Sequence, residues 1–84
     1  MKNVSYHLIF KPEPEGGFTV MVPALPGCVS YGKTLSHAKK MIQDAIAGYI
    51  VSLKKHHELI PTDEESFISS IKIGIPVQNP KNHA

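Results

Sequence analysis

An α+β domain with the element order β-β-β-α-β is what this sequence of 84 residues predicts. Three observations predict it. Side chains alternate with a period of two along Val4–Phe10 and again along Phe18–Val22. The period then changes to three and four from Leu35 onward, the spacing of a helix with one buried stripe. A short return to period two follows at Ile71, Ile73 and Ile75.

Val4, Tyr6, Leu8 and Phe10 alternate with Ser5, His7, Ile9 and Lys11, as in a strand with one buried face, and the aromatic and β-branched content suits it. The run Lys11-Pro12-Glu13-Pro14-Glu15-Gly16-Gly17 reads as a hairpin loop, because proline lacks the ladder N–H and glycine reaches positive φ without strain. Phe18, Val20 and Val22 form the inward row of the returning strand, with Thr19 and Met21 on its other face. Pro23 ends that strand, Pro26-Gly27 turns the chain, and Cys28–Tyr31 makes a third strand stopped by Gly32. The three strands read as an antiparallel meander.

Leu35, Ala38, Met41, Ile42, Ala45, Ile46, Tyr49, Ile50 and Leu53 mark one face of a long helix. Thr34 suits its N-cap, since a hydroxyl there accepts from an otherwise unpaired N–H of the first turn. His37 stands where a capping box would place Glu or Gln. Gly48 inside the helix costs about 1 kcal/mol relative to alanine, which predicts another group approaching closely there. Lys54, Lys55, His56 and His57 gather at the C-terminal end, where cations suit the helix dipole, and Pro61 closes the helix off. Thr62–Ser66 is a polar connector, and Ile71, Ile73 and Ile75 predict a fourth strand ended by Pro76. A crossover helix lets that strand join a mixed sheet, with the helix covering one face. The other face stays open. Residues 1–76 form the expected domain, and 77–84 a frayed tail.

The composition, 42% hydrophobic and 19% charged, is that of a folded domain. A core this small is marginal, so self-association into a dimer or tetramer is expected. No apolar run approaches the roughly 20 residues that span a bilayer, and the start lacks the apolar segment of a signal peptide. With one cysteine, Cys28, the default compartment is the cytoplasm. The net charge of +2 comes from lysines with no arginine, the usual reader of phosphates and guanines. Lys33, Lys39, Lys40, Lys54 and Lys55 place the positive charge on the polar side of the helix, as any solvated helix does. DNA binding by this chain alone is not expected.

Sites of chemistry are harder to find. The element order resembles the front half of a ribonuclease H fold, whose two-metal cleavage needs carboxylates converging from strands and helix. Neither Val4–Phe10 nor Ser66–Ile75 carries a carboxylate; Glu13, Glu15, Asp63, Glu64 and Glu65 lie in loops, and Asp44 and Glu58 stand apart. Adjacent His56 and His57 point about 100° apart on a helix, unlike an i, i+4 chelating pair. His7, His37 and His83 have no ligand at a metal-site spacing. Cys28 after Pro-Gly reads as a packing residue and not a nucleophile. Gly16-Gly17 is followed by no helix start or lysine-threonine pair, so it is no phosphate loop. No catalytic residue, metal or cofactor is expected, and a protein-binding module remains.

The segments Gly16-Gly17-Phe18, "VPALPGC" over residues 22–28, "GKTL" over 32–35, "AKKMIQDAIAGYI" over 38–50 and "IP" after the helix together resemble the HicB-like antitoxin family, over residues 4–76. The resemblance is to its short form, without a C-terminal DNA-binding domain. It implies a degraded ribonuclease H-like half fold without nuclease activity. It also implies a partner, a small HicA-type toxin that cleaves mRNA, neutralised by steric covering of its active surface. The helix start, with Lys33, Ser36 and His37, is less acidic than the family pattern. A second reading is a stand-alone interaction or regulatory module of the same fold with no toxin partner. The expected partner contacts are His7, Ile9, Lys11, Thr19 and Met21 on the open sheet face, because apolar side chains that the helix leaves uncovered meet something.

Overall fold

The computed structural model describes residues 3–64 and 66–77. Strands β1 (Ile9–Pro12), β2 (Phe18–Met21) and β3 (Val29–Gly32) form an antiparallel sheet in the order β1-β2-β3, and helix α1 (Leu35–Lys55) follows. The α+β class and the meander agree with the sequence reading. The register pairs Ile9 with Met21 and Pro12 with Phe18 across the first hairpin, and Met21 with Val29 and Phe18 with Gly32 across the second. Even-numbered residues of β1 and β2 therefore face α1, and odd-numbered ones face away.

The expected first strand is displaced toward the hairpin. Ladder bonds begin at Ile9, and Lys11 and Pro12, expected in the loop, belong to β1. Proline fits because β1 is an edge strand, where a missing donor costs least. Residues 4–8 still keep the period-two pattern: Tyr6 and Leu8 pack against the core, and Ser5 and His7 are exposed. The loop closes with Glu13 N–H donating to Gly17 O at 3.0 Å and Gly16 N–H donating to Glu13 O at 3.0 Å. Gly17 has φ +80°, and Tyr31 covers it so closely that a Cβ there would overlap the ring. The Tyr31 hydroxyl donates to Gly16 O at 2.9 Å and ties the loop to β3.

Helix α1 lies over β3 and β2 and leaves β1 largely uncovered. The core between them consists of Val20, Val22, Leu25, Cys28, Ala38 and Ile42, flanked by half-buried Tyr6, Leu8, Phe10, Phe18, Ala45, Ile46 and Tyr49. Burying an aliphatic side chain such as Ile42 contributes about 1.5–3 kcal/mol, so a few positions carry most of the stability. The Tyr49 hydroxyl reaches Pro26 O at 2.8 Å, which pins the second turn of the helix from its end to the β2–β3 connection.

Both ends of α1 are capped by the chain's own groups. Thr34 Oγ1 accepts from His37 N–H at 3.0 Å, as expected. His37 Nδ1 in turn accepts from Lys33 N–H at 3.3 Å, so an imidazole reaches back in the manner of a capping-box glutamate. At the other end, Glu58 N–H donates to Leu53 O at 2.9 Å and His57 N–H to Lys54 O at 3.1 Å. This is a Schellman motif, with His57 in the left-handed position at φ 56° that glycine usually takes. The helix therefore ends at this motif, four residues before Pro61.

Two further expectations are corrected. Gly48 is exposed, and a Cβ there would meet nothing within 4 Å, so no group approaches it. The close approach is at Gly32, where a Cβ would fall 2.2 Å from the backbone nitrogen of Ala38. The fourth strand is absent among the described residues. Ser66–Val77 has no ladder partner, and Ile71, Ile73 and Ile75 are 82%, 67% and 79% exposed. Period-two patterning requires a face to bury and a ladder to join, and here the segment leaves the domain as an arm, making the molecule 58 Å long and 30 by 21 Å across. The expected tail lies outside the described residues apart from Val77.

Gly48→Ala should stabilise the fold by about 0.5–1 kcal/mol, because it removes the flexibility of the unfolded chain at an open helical site. Urea denaturation measures it. Gly32→Ala should destabilise by about 1–3 kcal/mol through overpacking, seen as a lower urea midpoint with an unchanged slope.

Candidate protein-binding surface

The expected contact residues occupy the sheet face turned away from α1, and the structure brings most of them together. Ile9 pairs with Met21, and Lys11 with Thr19, directly across β1 and β2. Ile9 is 46% exposed and Met21 43%. The row continues into β3, where Val29 stands opposite Met21 and Tyr31 opposite Thr19. Val29 and Tyr31 are also exposed. The surface is therefore two cross-strand rows, Ile9-Met21-Val29 and Lys11-Thr19-Tyr31. Sequence reading omitted the β3 members, although the alternation of Cys28 and Ser30 with Val29 and Tyr31 carries the signal: Cys28 is buried and Ser30 Oγ donates to Met41 O of α1 at 3.5 Å.

Two of the expected residues are partly committed elsewhere. Thr19 is half-buried, and its hydroxyl donates to Glu13 Oε2 at 2.5 Å, which holds the hairpin loop against the face. His7 lies at the end of the face, before β1 begins. Its backbone N–H donates to Asp63 Oδ2, and its Nδ1 lies 3.3 Å from the same oxygen. The Tyr6 hydroxyl donates to Pro61 O at 2.5 Å on the neighbouring stretch. Residues 61–63 are thereby fastened across the start of the first strand. Burial raises the Tyr6 phenol above its ordinary value, and the Asp63 carboxylate adds to the shift.

The remaining titratable groups do not converge. Among the described residues, no three His, Cys, Asp or Glu side chains gather where a metal ion could be held. Cys28 is buried beside Val22 and Leu25, and desolvation pushes its thiol above the usual range, the reverse of what activates a nucleophile. No helix is long and apolar enough to cross a membrane among the described residues. What the surface offers is apolar area flanked by a lysine, a tyrosine and a loop carboxylate, a composition suited to binding another protein.

Comparison with known proteins gives the same chain a set of relatives. A family profile described as "HicB_like antitoxin of bacterial toxin-antitoxin system" matches residues 6–74. The UPF0150 protein Ta0767 of Thermoplasma acidophilum is 46% identical over 66 residues, covering 79% of this chain and 96% of that protein. The UPF0150 protein ssr1765 of Synechocystis is 35% identical over 60 residues, covering 71% and 76% respectively. A UPF0150 protein of Helicobacter pylori is 36% identical over 59 residues, covering 70% and 82%. The matched range takes in the sheet, the helix and most of the arm.

Tyr6→Phe should cost about 0.5–1.5 kcal/mol of stability at neutral pH by removing the bond to Pro61. Because the folded phenol titrates above its unfolded value, its contribution is full below about pH 10 and is lost as pH rises further. Urea midpoints should therefore fall more steeply above pH 10 in the parent than in Tyr6→Phe.

Proposed function

Because the chain belongs to the HicB-like antitoxin family of bacterial toxin-antitoxin systems, we propose that it neutralises a HicA-type toxin by binding it. The toxin cleaves mRNA, and the antitoxin acts by lying over its active surface, with no chemical step of its own. The observation that carries this reading is the sheet face opposite α1, where Ile9, Met21 and Val29 form a half-exposed apolar row across all three strands. Contiguous apolar area on a braced sheet face marks a binding surface. His7, Lys11, Thr19 and Tyr31 border the row and set its polarity.

A degraded ribonuclease H-like origin is consistent with the placement of the acids. Glu13 and Glu15 sit in the hairpin loop, Asp63 is bonded to His7, Asp44 stands on the helix and Glu58 lies just past its end, so these carboxylates do not converge. The working complex is cytoplasmic, where the toxin meets its mRNA. With a net charge of +2, long-range attraction to a basic RNA-cutting partner is weak, and affinity rests on apolar contact.

Co-expression with the small reading frame adjacent to this gene tests the proposal. The two products should co-purify, and growth arrest by the toxin should be relieved. Met21→Asp and Val29→Asp should each weaken the complex by a factor of about 30 or more while the circular dichroism spectrum of the antitoxin stays unchanged. A neighbouring product that neither co-purifies nor is detoxified would instead favour a stand-alone regulatory module.

A further inference from the structure

We propose that the arm from Phe67 to Val77 is the fourth strand of a second copy's sheet, so that two chains exchange arms and each completes the other. The inference is independent of which toxin the protein binds. It starts from two unsatisfied features of the same chain.

One is the arm. Phe67, Ile71, Ile73, Ile75 and Val77 fall on one side at period two, interrupted by Ser69, with Ile68, Ser70, Lys72, Gly74 and Pro76 on the other. Their exposures run from 67% for Ile73 to 98% for Val77, far above those of any other apolar row in the protein. The other is a groove of about 370 Å³ on the helix side of the sheet, lined by Val4, Tyr6, Leu8, Ile42, Ile46 and Ile50. It runs beside the outer edge of the first strand, where α1 leaves the sheet uncovered. An edge strand next to an apolar groove is where an added strand gains both ladder bonds and side-chain burial.

The dimensions agree. At about 3.3 Å per residue the arm is about 35 Å long, enough to follow the β1 edge beyond His7 and the groove beside it. Its isoleucine row then faces the isoleucine row of α1. The polar row faces outward.

The root of the arm points it to a neighbour. Residues 61–63 are fastened to Tyr6 and His7, and Phe67 and Ile68 next lie in a hollow with His7, Pro23 and Ala24. His7 and Pro23 belong to the outward-facing parity, whereas Tyr6, Leu8 and Ile42 line the groove on the helix side. To enter its own groove the arm would have to release these bonds and pass around the sheet edge. A second copy related by a two-fold axis receives it without that rearrangement, and its own arm returns to the first copy. The exchange is closed, and two arms in two grooves are on the scale of the roughly 1,200–2,000 Å² that a stable interface buries. The exposed face Ile9-Met21-Val29 stays free for another partner.

Analytical ultracentrifugation of the full chain should give twice the chain mass of 9.2 kDa. In a sample mixed from isotope-labelled and unlabelled copies, filtered nuclear Overhauser spectra should show contacts from Ile71 and Ile73 methyls to the Tyr6 ring and Ile46 of the other copy. Ile73→Asp, at a position that carries no burden in the single chain, should weaken self-association at least about tenfold and leave the helical circular dichroism signal intact. A monomer at about 100 μM overturns the proposal. So does a dimer that survives Ile73→Asp, a set of arm-to-groove contacts found only within one chain, or an arm that becomes protected only when a toxin is added.

Discussion

The contact on which the rest of the fold depends is the one between Gly32 and the first turn of α1. A helix of 21 residues can rest on a sheet of three short strands only if its entry point is fixed, because the strands offer little area to align it. The missing side chain at Gly32 lets the backbone at Ala38 come against the end of β3, and Ala38 is itself fully buried. Thr34 and the imidazole of His37 satisfy the N–H groups that this close entry would leave unpaired. From there Ile42 is delivered to the sheet one turn later, and Tyr49 reaches the β2–β3 connection two turns after that. Direction, rotation and depth of the helix follow from one small residue.

Much of this was legible in the sequence, and the parts that were not share a cause. The helix, its cap at Thr34, the two-glycine hairpin and the sidedness of β2 are local: each is written in the residues of one segment. Glycine lowers helix propensity, so Gly48 predicts a close contact, yet on its open surface a Cβ would meet nothing within 4 Å, and propensity alone does not distinguish the two cases. The Schellman ending at His57 was hidden because its usual glycine is missing, and the bond pattern can be seen only once Leu53 and Glu58 have positions. Ile71, Ile73 and Ile75 carry a sound strand pattern without a strand, since a ladder needs a second segment and the sequence of one chain does not say where that segment lies. On the sheet face turned away from α1, Ile9, Lys11 and Met21 follow from alternation over long runs, and Val29 and Tyr31 follow from the same alternation over four residues only, which the register places beside Met21 and Thr19.

The sheet's two faces divide the chemistry of the chain. The even-numbered face is apolar and packed, and it encloses the thiol of Cys28 in surroundings that favour its protonated form. The odd-numbered face carries apolar and polar residues in alternating cross-strand rows, and the carboxylate nearest to it, Glu13, is engaged by the Thr19 hydroxyl. Among the described residues no group of three acids, histidines or cysteines gathers on either face, and a sheet braced from behind by a helix holds its shape. The proposed role, binding a partner by contact, accords with the family relationship and with this placement of side chains.

The arm also carries its own restraint. An extended run of alternating isoleucines is the composition from which open-ended β stacks grow, each chain templating the next. Lys72 sits in the middle of that run, Gly74 two positions later and Pro76 near its end. Repeated in register along a stack, the lysine would set like charges about 4.8 Å apart, and the proline would remove a donor from every layer. These residues burden an endless array far more than a single pairing event. The segment is suited to being matched once and poorly suited to being copied indefinitely.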